Sequence, residues 1–360
     1  MPLDHYLTLG RSGLRVSPLA LGAMTFGEDP GAAGCSVEDS EKIIATYLDN
    51  GGNFIDTANF YSNGHSEKIL GDFFGARAGL RDHVVLASKF FTNMFPGDPN
   101  GGGAGRSSII AQLEQTLRRL RTDHLDLYWL HNWDRNTPIE ETLRALDDIV
   151  ASGKVRYLGF SNIPAWVTAQ AQAIALLRGW TPVIALQVEY SLLARTVEGE
   201  IAPLALDQGM ALVPWSPLRN GFLSGKYRRG AEVTDSARAA YVGGPSEDDF
   251  VVIDAVAAVA DELGTSSAEV ALAWLRARPG TVVPIVGARR VAHLESNLAG
   301  ADVTLSAEQS RRLDAVSMPT LDYPAPLHGS LRAMLQFAGT TVDGEPSTVY
   351  PPLTQSAVRY

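Results

Sequence analysis

Four side chains in this chain of 360 residues have the types and the spacing that proton transfer requires. Asp56 and Tyr61 follow a short apolar run that begins at Asn53, and Lys89 and His131 each end a later apolar run. A buried carboxylate and a buried ammonium are each unstable alone, so we expect Asp56 and Lys89 to form a pair. These four residues are therefore the candidate catalytic set.

The chemistry expected of this set is proton transfer to or from an oxygen atom. An ammonium beside a phenol favours the phenolate, so Lys89 is expected to lower the pKa of Tyr61 from its usual value of about 10. His131 can donate a hydrogen bond to a substrate oxygen and orient it. No nucleophile is obvious, which makes a hydride carried by a cofactor the natural complement. Alternatively, Asp56 and Lys89 form an ion pair with only a structural role. The presence of Tyr61 and His131 beside them disfavours this alternative.

The residues around this set predict repeated strand–helix units, spaced at roughly 30 residues. The predicted strands are 19–24, 53–58, 84–89, 125–131, 155–161, 183–190, 210–215 and 282–286, with helical patterns between them. Such alternation implies parallel strands with right-handed crossovers. Eight units fit a closed (β/α)8 TIM barrel better than an open sheet, so the predicted fold class is α/β.

The domain organisation follows from this pattern. We predict a single barrel domain over residues 1–360, because no composition break marks a boundary. Residues 7–16 predict an N-terminal β-hairpin around a glycine turn. Residues 218–245, rich in glycine and charge, predict an irregular excursion, and the proline-rich residues 318–360 predict a C-terminal extension.

Composition narrows the function classes. An apolar fraction of 45% and a charged fraction of 19% are typical of a soluble globular protein. The net charge of −10, without blocks of like charge, argues against nucleic acid and anionic membranes as partners. Cys35 is the only cysteine, which excludes an intramolecular disulfide and a thiolate zinc site. The sequence shows no signal peptide pattern and no run of about eighteen apolar residues, so a cytoplasmic location is expected.

Further residues with chemical potential lie at predicted strand ends, where TIM barrels carry out their chemistry. They are Ser161, Asn162, Gln187, Trp215 and Ser216. A row of such residues at successive strand ends, each after an apolar run, is hard to explain by packing alone. We therefore expect them to share one site with the candidate catalytic set.

Several motifs together resemble the aldo-keto reductase family over nearly the whole chain. They include Phe54-Ile55-Asp56-Thr57-Ala58, Gly159-Phe160-Ser161-Asn162, Trp215-Ser216-Pro217-Leu218 and Gly287 through Asn297. The resemblance implies the barrel, a hairpin plugging its bottom, and a nicotinamide cofactor bound without a Rossmann unit. It implies Tyr61 as the general acid, tuned by Asp56 and Lys89, and His131 as the group that orients the carbonyl. The subgroup resembles the bacterial aryl-alcohol-dehydrogenase-like reductases.

The same resemblance implies a set of cofactor-binding residues. The set is Ala23, Met24, Asp56, Ser161, Asn162, Gln187, Trp215, Ser216, Pro217, Leu218, Asn220, Gly221, Lys226, Gly287, Arg289, His293, Ser296 and Asn297. Arg289 matches the position that holds an adenosine 2′-phosphate, which favours NADPH over NADH. His293 and Ser296 depart from the residues that many relatives have at these positions, which leaves NADH open as the alternative coenzyme.

Aromatic residues on the loops after predicted strands could line an apolar substrate pocket. They are Phe26, Phe60, Phe91, Phe95 and Trp133. Each could equally serve only as packing, because large aromatic residues on loops often do.

The expected function is NADPH-dependent reduction of an aldehyde or ketone. The expected partner is a small carbonyl substrate, with homo-oligomerisation left open. One alternative is a regulatory subunit that binds NADPH and resembles potassium-channel β-subunits. A weaker one is a metal-dependent barrel hydrolase, which the absence of His-x-His and His-Glu-x-x-His disfavours.

Overall fold

The structure, a computed structural model, describes residues 3–28, 34–230, 243–328 and 330–355. An antiparallel hairpin comes first, formed by β1 (Leu7–Thr8) and β2 (Arg15–Val16). Parallel strands follow: β3 (Ala20–Gly22), β4 (Phe54–Asp56), β5 (Val85–Phe90), β6 (Leu125–Leu130), β7 (Val155–Ser161), β8 (Val183–Glu189), β9 (Ala211–Trp215) and β10 (Ile285–Gly287). The predicted hairpin and the predicted barrel strands are confirmed.

Helices connect and surround the strands. They are α1 (Val37–Asp49), α2 (His65–Gly75), α3 (Arg106–Leu120), α4 (Ile139–Ala151), α5 (Ala165–Arg178), α6 (Ile201–Gln208), α7 (Glu247–Leu263), α8 (Ser267–Arg276), α9 (Val291–Ala299) and α10 (Ala307–Val316). The C-terminal extension adds α11 (Ser330–Phe337), β11 (Thr341–Val342), β12 (Glu345–Pro346) and α12 (Pro351–Gln355). Within the described ranges, no helix has the length and apolar character needed to span a bilayer.

The central sheet closes on itself. Each strand from β4 to β9 pairs in parallel with the strand before it, and β10 pairs with β3. At the remaining edge, Leu212 N donates to Thr281 O at 2.8 Å and Val283 N donates to Leu212 O at 2.9 Å. These bonds join β9 to the residues leading into β10. The predicted (β/α)8 barrel is therefore confirmed.

The last barrel strand begins later than predicted. We predicted a strand over 282–286, whereas β10 spans Ile285–Gly287. Pro284 has no N–H to donate to a ladder, so it interrupts strand pairing between Val283 and Ile285. Val282 contributes only an isolated bridge to Leu212.

Alternation along the strands separates two layers of core. On β5, Val85 and Ala87 belong to the cluster inside the barrel, while Leu86 and Phe90 belong to the cluster beneath the helices. The neighbouring strand β4 alternates in the same way, as does β6 from Leu127 onward. Inward-facing residues therefore recur at every second position of these strands.

The N-terminal hairpin closes the amino-terminal end of the barrel. Leu9 and Val16 have no exposed surface and belong to the inner cluster. Gly10, between the hairpin strands, has a φ of +59°, and a Cβ there would lie 2.2 Å from Ile184 O. Arg11 N donates to a backbone oxygen after α6 at 2.7 Å. The backbone of the hairpin turn thus approaches the barrel too closely for a side chain at position 10.

Two elements near the C-terminus were not predicted, although the sequence holds a signal for each. Helix α10 begins with a capping box, in which the Ser306 hydroxyl and the Gln309 side chain each accept from the other residue's N–H. The turn Asp343-Gly344, with φ of 49° and 82°, joins β11 to β12 as Asp-Gly turns do in hairpins. Residues 1–2, 29–33, 231–242, 329 and 356–360 lie outside the described residues, and residues 231–242 include part of the predicted irregular excursion.

Helices α2 and α3 pack so closely at Gly71 that a Cβ there would lie 2.2 Å from Arg119 O. We expect Gly71→Ala to lower the free energy of unfolding by about 1–3 kcal/mol, because the backbone of α3 cannot yield as a side chain would. Gly75→Ala is the matched control, since Gly75 is exposed on the same helix and a Cβ there would meet only the Arg121 side chain. Urea denaturation measures both variants. Equal stability of the two would contradict the close approach.

Candidate active site

The barrel brings three of the four candidate catalytic residues to its carboxyl-terminal end. Asp56, Lys89 and His131 each lie two positions after an inward-facing core residue, at the carboxyl ends of β4, β5 and β6. Those core residues are Phe54, Ala87 and Trp129. Since the side-chain period of a strand is two, the three polar side chains continue the inner layer at the mouth of the barrel.

An ion pair joins Asp56 to Lys89. Lys89 Nζ donates to Asp56 Oδ2 at 2.5 Å, Asp56 is 2% exposed, and Lys89 has no exposed surface. The ammonium also donates to Thr57 O at 2.8 Å and to the Tyr61 hydroxyl at 3.0 Å. Gln187 Nε2 donates to the second carboxylate oxygen at 3.1 Å. All three ammonium protons and both carboxylate oxygens thus have partners, which is the condition for burying such a pair.

A tight turn presents Tyr61 to this pair. A one-turn 3₁₀ helix begins at Tyr61, and its next two residues, Ser62 and Asn63, are left-handed with φ of 48° and 52°. The Ser62 hydroxyl donates to Phe26 O at 2.8 Å, which anchors the turn to the loop after β3. The Phe60 ring packs edge-on against Tyr61, with centroids 5.1 Å apart. The Ser62 bond thus fixes the turn, and the Phe60 ring packs against the phenol itself.

The pKa of Tyr61 is raised above its ordinary value, so the predicted lowering was wrong. Burial is the largest cause; Lys89 works to lower this pKa, but Asp56 works to raise it. Tyr61 is consequently a protonated phenol near neutral pH. Burial also works to lower the pKa of Lys89, but Asp56 and Tyr61 outweigh it, and the net shift is upward. The site therefore rests as a neutral phenol beside an ammonium.

His131 is a neutral imidazole. Burial, helped by the charge of Lys89, lowers its pKa to about 3. Its Nδ1 is buried and has no hydrogen-bond partner among the residues the structure describes. Its ring lies 5.4 Å from that of Phe60 and 6.2 Å from that of Tyr61, measured between centroids. A buried polar atom of this kind is suited to a polar ligand atom.

The predicted nicotinamide ligands lie together on the next strands. Asn162, left-handed with a φ of 57°, donates from Nδ2 to His131 O and to Ser161 Oγ and accepts the Trp215 indole N–H at 3.1 Å. These bonds occupy its amide with protein partners. Among the described residues, two groups next to it are left without a protein partner: the Ser161 O–H, which is a donor, and Gln187 Oε1, which is an acceptor. One donor and one acceptor complement a carboxamide, so the residues fit that group.

The segment after β9 forms a run of unusual backbone. Ser216, Arg219 and Asn220 have φ of 53°, 45° and 54°, and Asn220 N donates to Ser216 Oγ at 3.1 Å. A Cβ on Gly221 would lie 3.3 Å from Lys226 Nζ, so the lysine side chain lies across this glycine. A cation beside such a turn suits a phosphate group. Pro217 and Leu218, also predicted here, are buried and partly buried respectively.

A helix start provides the remaining predicted cofactor positions. Gly287 ends β10 with open space above it, and α9 begins four residues later, without an acidic residue in its first turn. Arg289 is partly exposed between the two elements, and the predicted positions on α9 are His293, Ser296 and Asn297, of which Asn297 is buried and the others are exposed. A helix N-terminus flanked by a guanidinium suits an anion.

The loop after β3 lies beside this segment. Thr25 Oγ1 donates to Ala288 O at 2.8 Å. Of the two residues predicted there, Met24 is 57% exposed, whereas Ala23 has no exposed surface. Only Met24 thus offers its side chain to a ligand in this structure.

The predicted substrate-pocket residues differ in how exposed their side chains are. Phe26 has no exposed surface and packs in the cluster beneath the helices, so its assignment to an open pocket is not supported by its position. Phe60, Phe91, Phe95 and Trp133 keep exposed surface. Phe91 and Trp133 also pack against the outer cluster.

Two site features were missed by the sequence prediction. Trp166, at the start of α5, packs edge-on against Trp133 with centroids 5.4 Å apart. The two indoles line an open cleft of about 270 Å³, whose lining includes none of the four candidate catalytic residues. Arg219 pairs with Glu189 at the end of β8, which ties the segment after β9 to the barrel. Neither pairing has a local signal, because each joins residues from different strand–helix units.

The family model described as Aldo/keto reductase family matches residues 18–318. The chain belongs to the aldo-keto reductase family. This confirms the resemblance found in the sequence and identifies the protein as an oxidoreductase.

Individual relatives agree with the family. An uncharacterized oxidoreductase, YrpG, of Bacillus subtilis is 38% identical over 321 residues, which cover 87% of this chain and 95% of the relative. An aryl-alcohol dehydrogenase [NADP(+)] of Phanerodontia chrysosporium is 36% identical over 323 residues, 84% of this chain and 83% of the relative. A norsolorinic acid reductase of Aspergillus flavus is 34% identical over 328 residues, 89% and 82% respectively.

The charge state of His131 gives a prediction. We expect its imidazole to stay neutral as the pH falls through about 6.5, where an ordinary histidine gains its proton, and to protonate only near pH 3. Nitrogen-15 NMR of the imidazole measures this, with His131→Asn to assign the signal and free histidine as the control. Protonation near pH 6.5 would show that burial does not govern this group.

Proposed function

We propose that this aldo-keto reductase uses NADPH to reduce an aldehyde or ketone to the alcohol, with Tyr61 as the proton donor. The observation that carries the proposal is the arrangement of Lys89, whose ammonium donates to both Asp56 and the Tyr61 hydroxyl at the barrel mouth. A protonated phenol held by an ammonium can release its proton at moderate cost. The neutral imidazole of His131 lies nearby, with its ring centroid 6.2 Å from that of Tyr61.

The proposed roles follow from these contacts. Tyr61 transfers its phenolic proton to the carbonyl oxygen as negative charge develops there. Lys89, 3.0 Å from the phenolic oxygen, stabilises the phenolate that remains. His131, being neutral, donates one hydrogen bond to the same carbonyl oxygen and orients it. Bound NADPH supplies the hydride that the carbonyl carbon accepts.

The residues proposed to hold NADPH are those whose positions fit its parts. Ser161 and Gln187 offer the donor and acceptor for the carboxamide, and Trp215, fixed at its edge by Asn162, offers an aromatic face. The turn over residues 216–221, with the Lys226 side chain across Gly221, suits the pyrophosphate. The start of α9 beside Arg289 suits the 2′-phosphate, and the relative from Phanerodontia chrysosporium, named for NADP(+), supports this coenzyme.

The proposed substrate class is an aromatic carbonyl compound. The ring of Phe60 lies 5.4 Å from that of His131, and Trp133, on the loop after His131, packs edge-on against Trp166. Aromatic walls favour aromatic ligands through stacked and edge-on contacts. The relative named as an aryl-alcohol dehydrogenase supports the same class.

The expected partners and compartment stay predictions. We propose a small carbonyl substrate and neither nucleic acid nor membrane as a partner, in line with the net charge of −10. A cytoplasmic location and homo-oligomerisation are likewise proposals. Fractionation with light scattering on the purified protein measures the oligomeric state directly.

We expect Tyr61→Phe to lower kcat by about a hundredfold to ten-thousandfold while NADPH binding is unchanged, because only the proton is lost. The measurement is NADPH consumption over a panel of aromatic aldehydes, ketones, dicarbonyls and keto-sugars, with binding followed by fluorescence. Tyr157→Phe is the matched control, since Tyr157 lies on β7 toward the hairpin end of the barrel, within 4 Å of the position of Gly13. Tight NADPH binding without turnover of any carbonyl would favour the regulatory alternative.

We expect Arg289→Leu to weaken NADPH binding by about 1.5–3 kcal/mol, on the order of tenfold to a hundredfold, because a charged hydrogen bond to the 2′-phosphate is lost. NADH, which lacks this phosphate, is the internal control and should bind unchanged. Titration of both coenzymes against the wild type and the variant measures the difference. An equal loss for both coenzymes would place Arg289 outside the 2′-phosphate site.

A further inference from the structure

A buried glutamine on α3 joins the two chain segments that carry Tyr61 and Lys89. Gln112 is 3% exposed, and its Oε1 accepts the Phe91 N–H at 3.1 Å and the Asn59 Nδ2–H at 2.8 Å. Its Nε2 donates to Ser108 Oγ, one turn earlier on the same helix, at 2.6 Å. In this buried position the Gln112 oxygen thus accepts two hydrogen bonds and the nitrogen donates one.

The orientation of both amides is fixed by their partners. The Phe91 N–H can only donate, so the Gln112 atom that faces it must be the oxygen. Asn59 must then offer its nitrogen to that oxygen, and the same nitrogen donates to Thr92 O at 3.1 Å. A reversed amide at either residue would set two acceptors or two donors against each other.

The two bonds flank the catalytic contact symmetrically. Asn59 lies two residues before Tyr61, and Phe91 lies two residues after Lys89. Asn59 N also donates to Lys89 O at 3.2 Å, which brings the same two segments together through their backbones. Gln112 therefore holds the loop that carries the phenol against the strand end that carries the ammonium.

The strand end held by Gln112 is strained. Phe91 has a φ of 126°, in a region that residues other than glycine rarely adopt. Its N–H is held by Gln112, and its carbonyl oxygen accepts from Gly103 N at 2.7 Å. Such a conformation persists only where surrounding contacts determine it, and such residues cluster at functional sites.

We propose that Gln112 is a positioning residue that sets the contact between Lys89 and the Tyr61 hydroxyl by clamping Asn59 to the strained backbone of Phe91. The inference rests on the proposed function of Tyr61 as the proton donor. Gln112 itself lies on α3 and acts through the two segments it joins. A positioning role and a general contribution to stability predict different results, so an experiment can separate them.

The test compares three variants in the full-length protein. Gln112→Met removes both bonds and keeps the side-chain size, and we expect kcat to fall by about tenfold to a hundredfold with NADPH binding unchanged, because misplacement by about 1 Å is this costly. Gln112→Glu keeps an oxygen for Phe91 and Asn59, and the Ser108 hydroxyl can donate to the second oxygen, so most of kcat should be restored. Gln172→Met is the matched control.

Gln172 makes the same kind of contact at the other end of the barrel. On α5, it donates to Val183 O at 3.0 Å and accepts the Val183 N–H at 2.9 Å, at the amino end of β8. Its loss should lower the melting temperature and leave kcat unchanged. A fall in stability for Gln112→Met similar to that for Gln172→Met, without a fall in kcat, would overturn the proposal.

A pH profile supplies a readout that a purely structural role would not move. Lys89 works to lower the pKa of Tyr61, so loosening their contact should raise the pH at which alcohol oxidation, which needs the phenolate, becomes fast. We expect this rise for Gln112→Met, and an unshifted profile with reduced kcat would also overturn the inference. If Gln112→Met does not fold, Asn59→Ala removes the clamp from its other side and should give the same shift. An inactive wild type would instead overturn the proposed function.

Discussion

The ion pair between Lys89 and Asp56 is the interaction on which the site depends. Two opposite charges without access to water are stable only if every donor and acceptor is satisfied, and removal of one partner from such a pair costs about 3–5 kcal/mol. Here the ammonium divides its protons among Asp56, Thr57 O and the Tyr61 hydroxyl. Because two of these three bonds go to β4 and the residue after it, the direction of the third is set by the barrel. The position of the phenolic oxygen is therefore fixed by the same geometry that allows the charges to be buried.

The barrel supplies that geometry through strand alternation, and alternation is visible in the sequence. A shift of one residue would turn a strand's inward side chains to the helices, so the apolar runs before Asp56, Lys89 and His131 also determine where these residues point. This is why the fold and the meeting of these three could be predicted. Alternation does not show where strand pairing breaks: the apolar run over 282–286 predicted a strand, but Pro284 has no N–H and interrupts it.

What could not be predicted depends on burial and on contacts between distant parts of the chain. Phe26 looks like a loop aromatic in the sequence, but the packing of helices over its loop leaves it no exposed surface. Gln112 carries no local signal, because its partners Asn59 and Phe91 lie 53 and 21 residues away. The backbone of Phe91 is unpredictable for the same reason, since a φ of 126° reflects the contacts that hold it and not the preference of phenylalanine.

The wrong prediction for Tyr61 shows how the site balances these effects. A lysine lowers a phenol's pKa when it presents a net charge, but Lys89 is neutralised by Asp56, so Tyr61 faces a dipole in a poorly solvated place and burial prevails. For the proposed reduction this is favourable, because a donor must hold its proton until the carbonyl oxygen gains negative charge. As the proton leaves, the phenolate interacts with Lys89 far more strongly than the phenol does. The ion pair thus stabilises the neutral phenol only weakly and the developing phenolate strongly. Stronger stabilisation of the transition state than of the resting state is what accelerates a reaction.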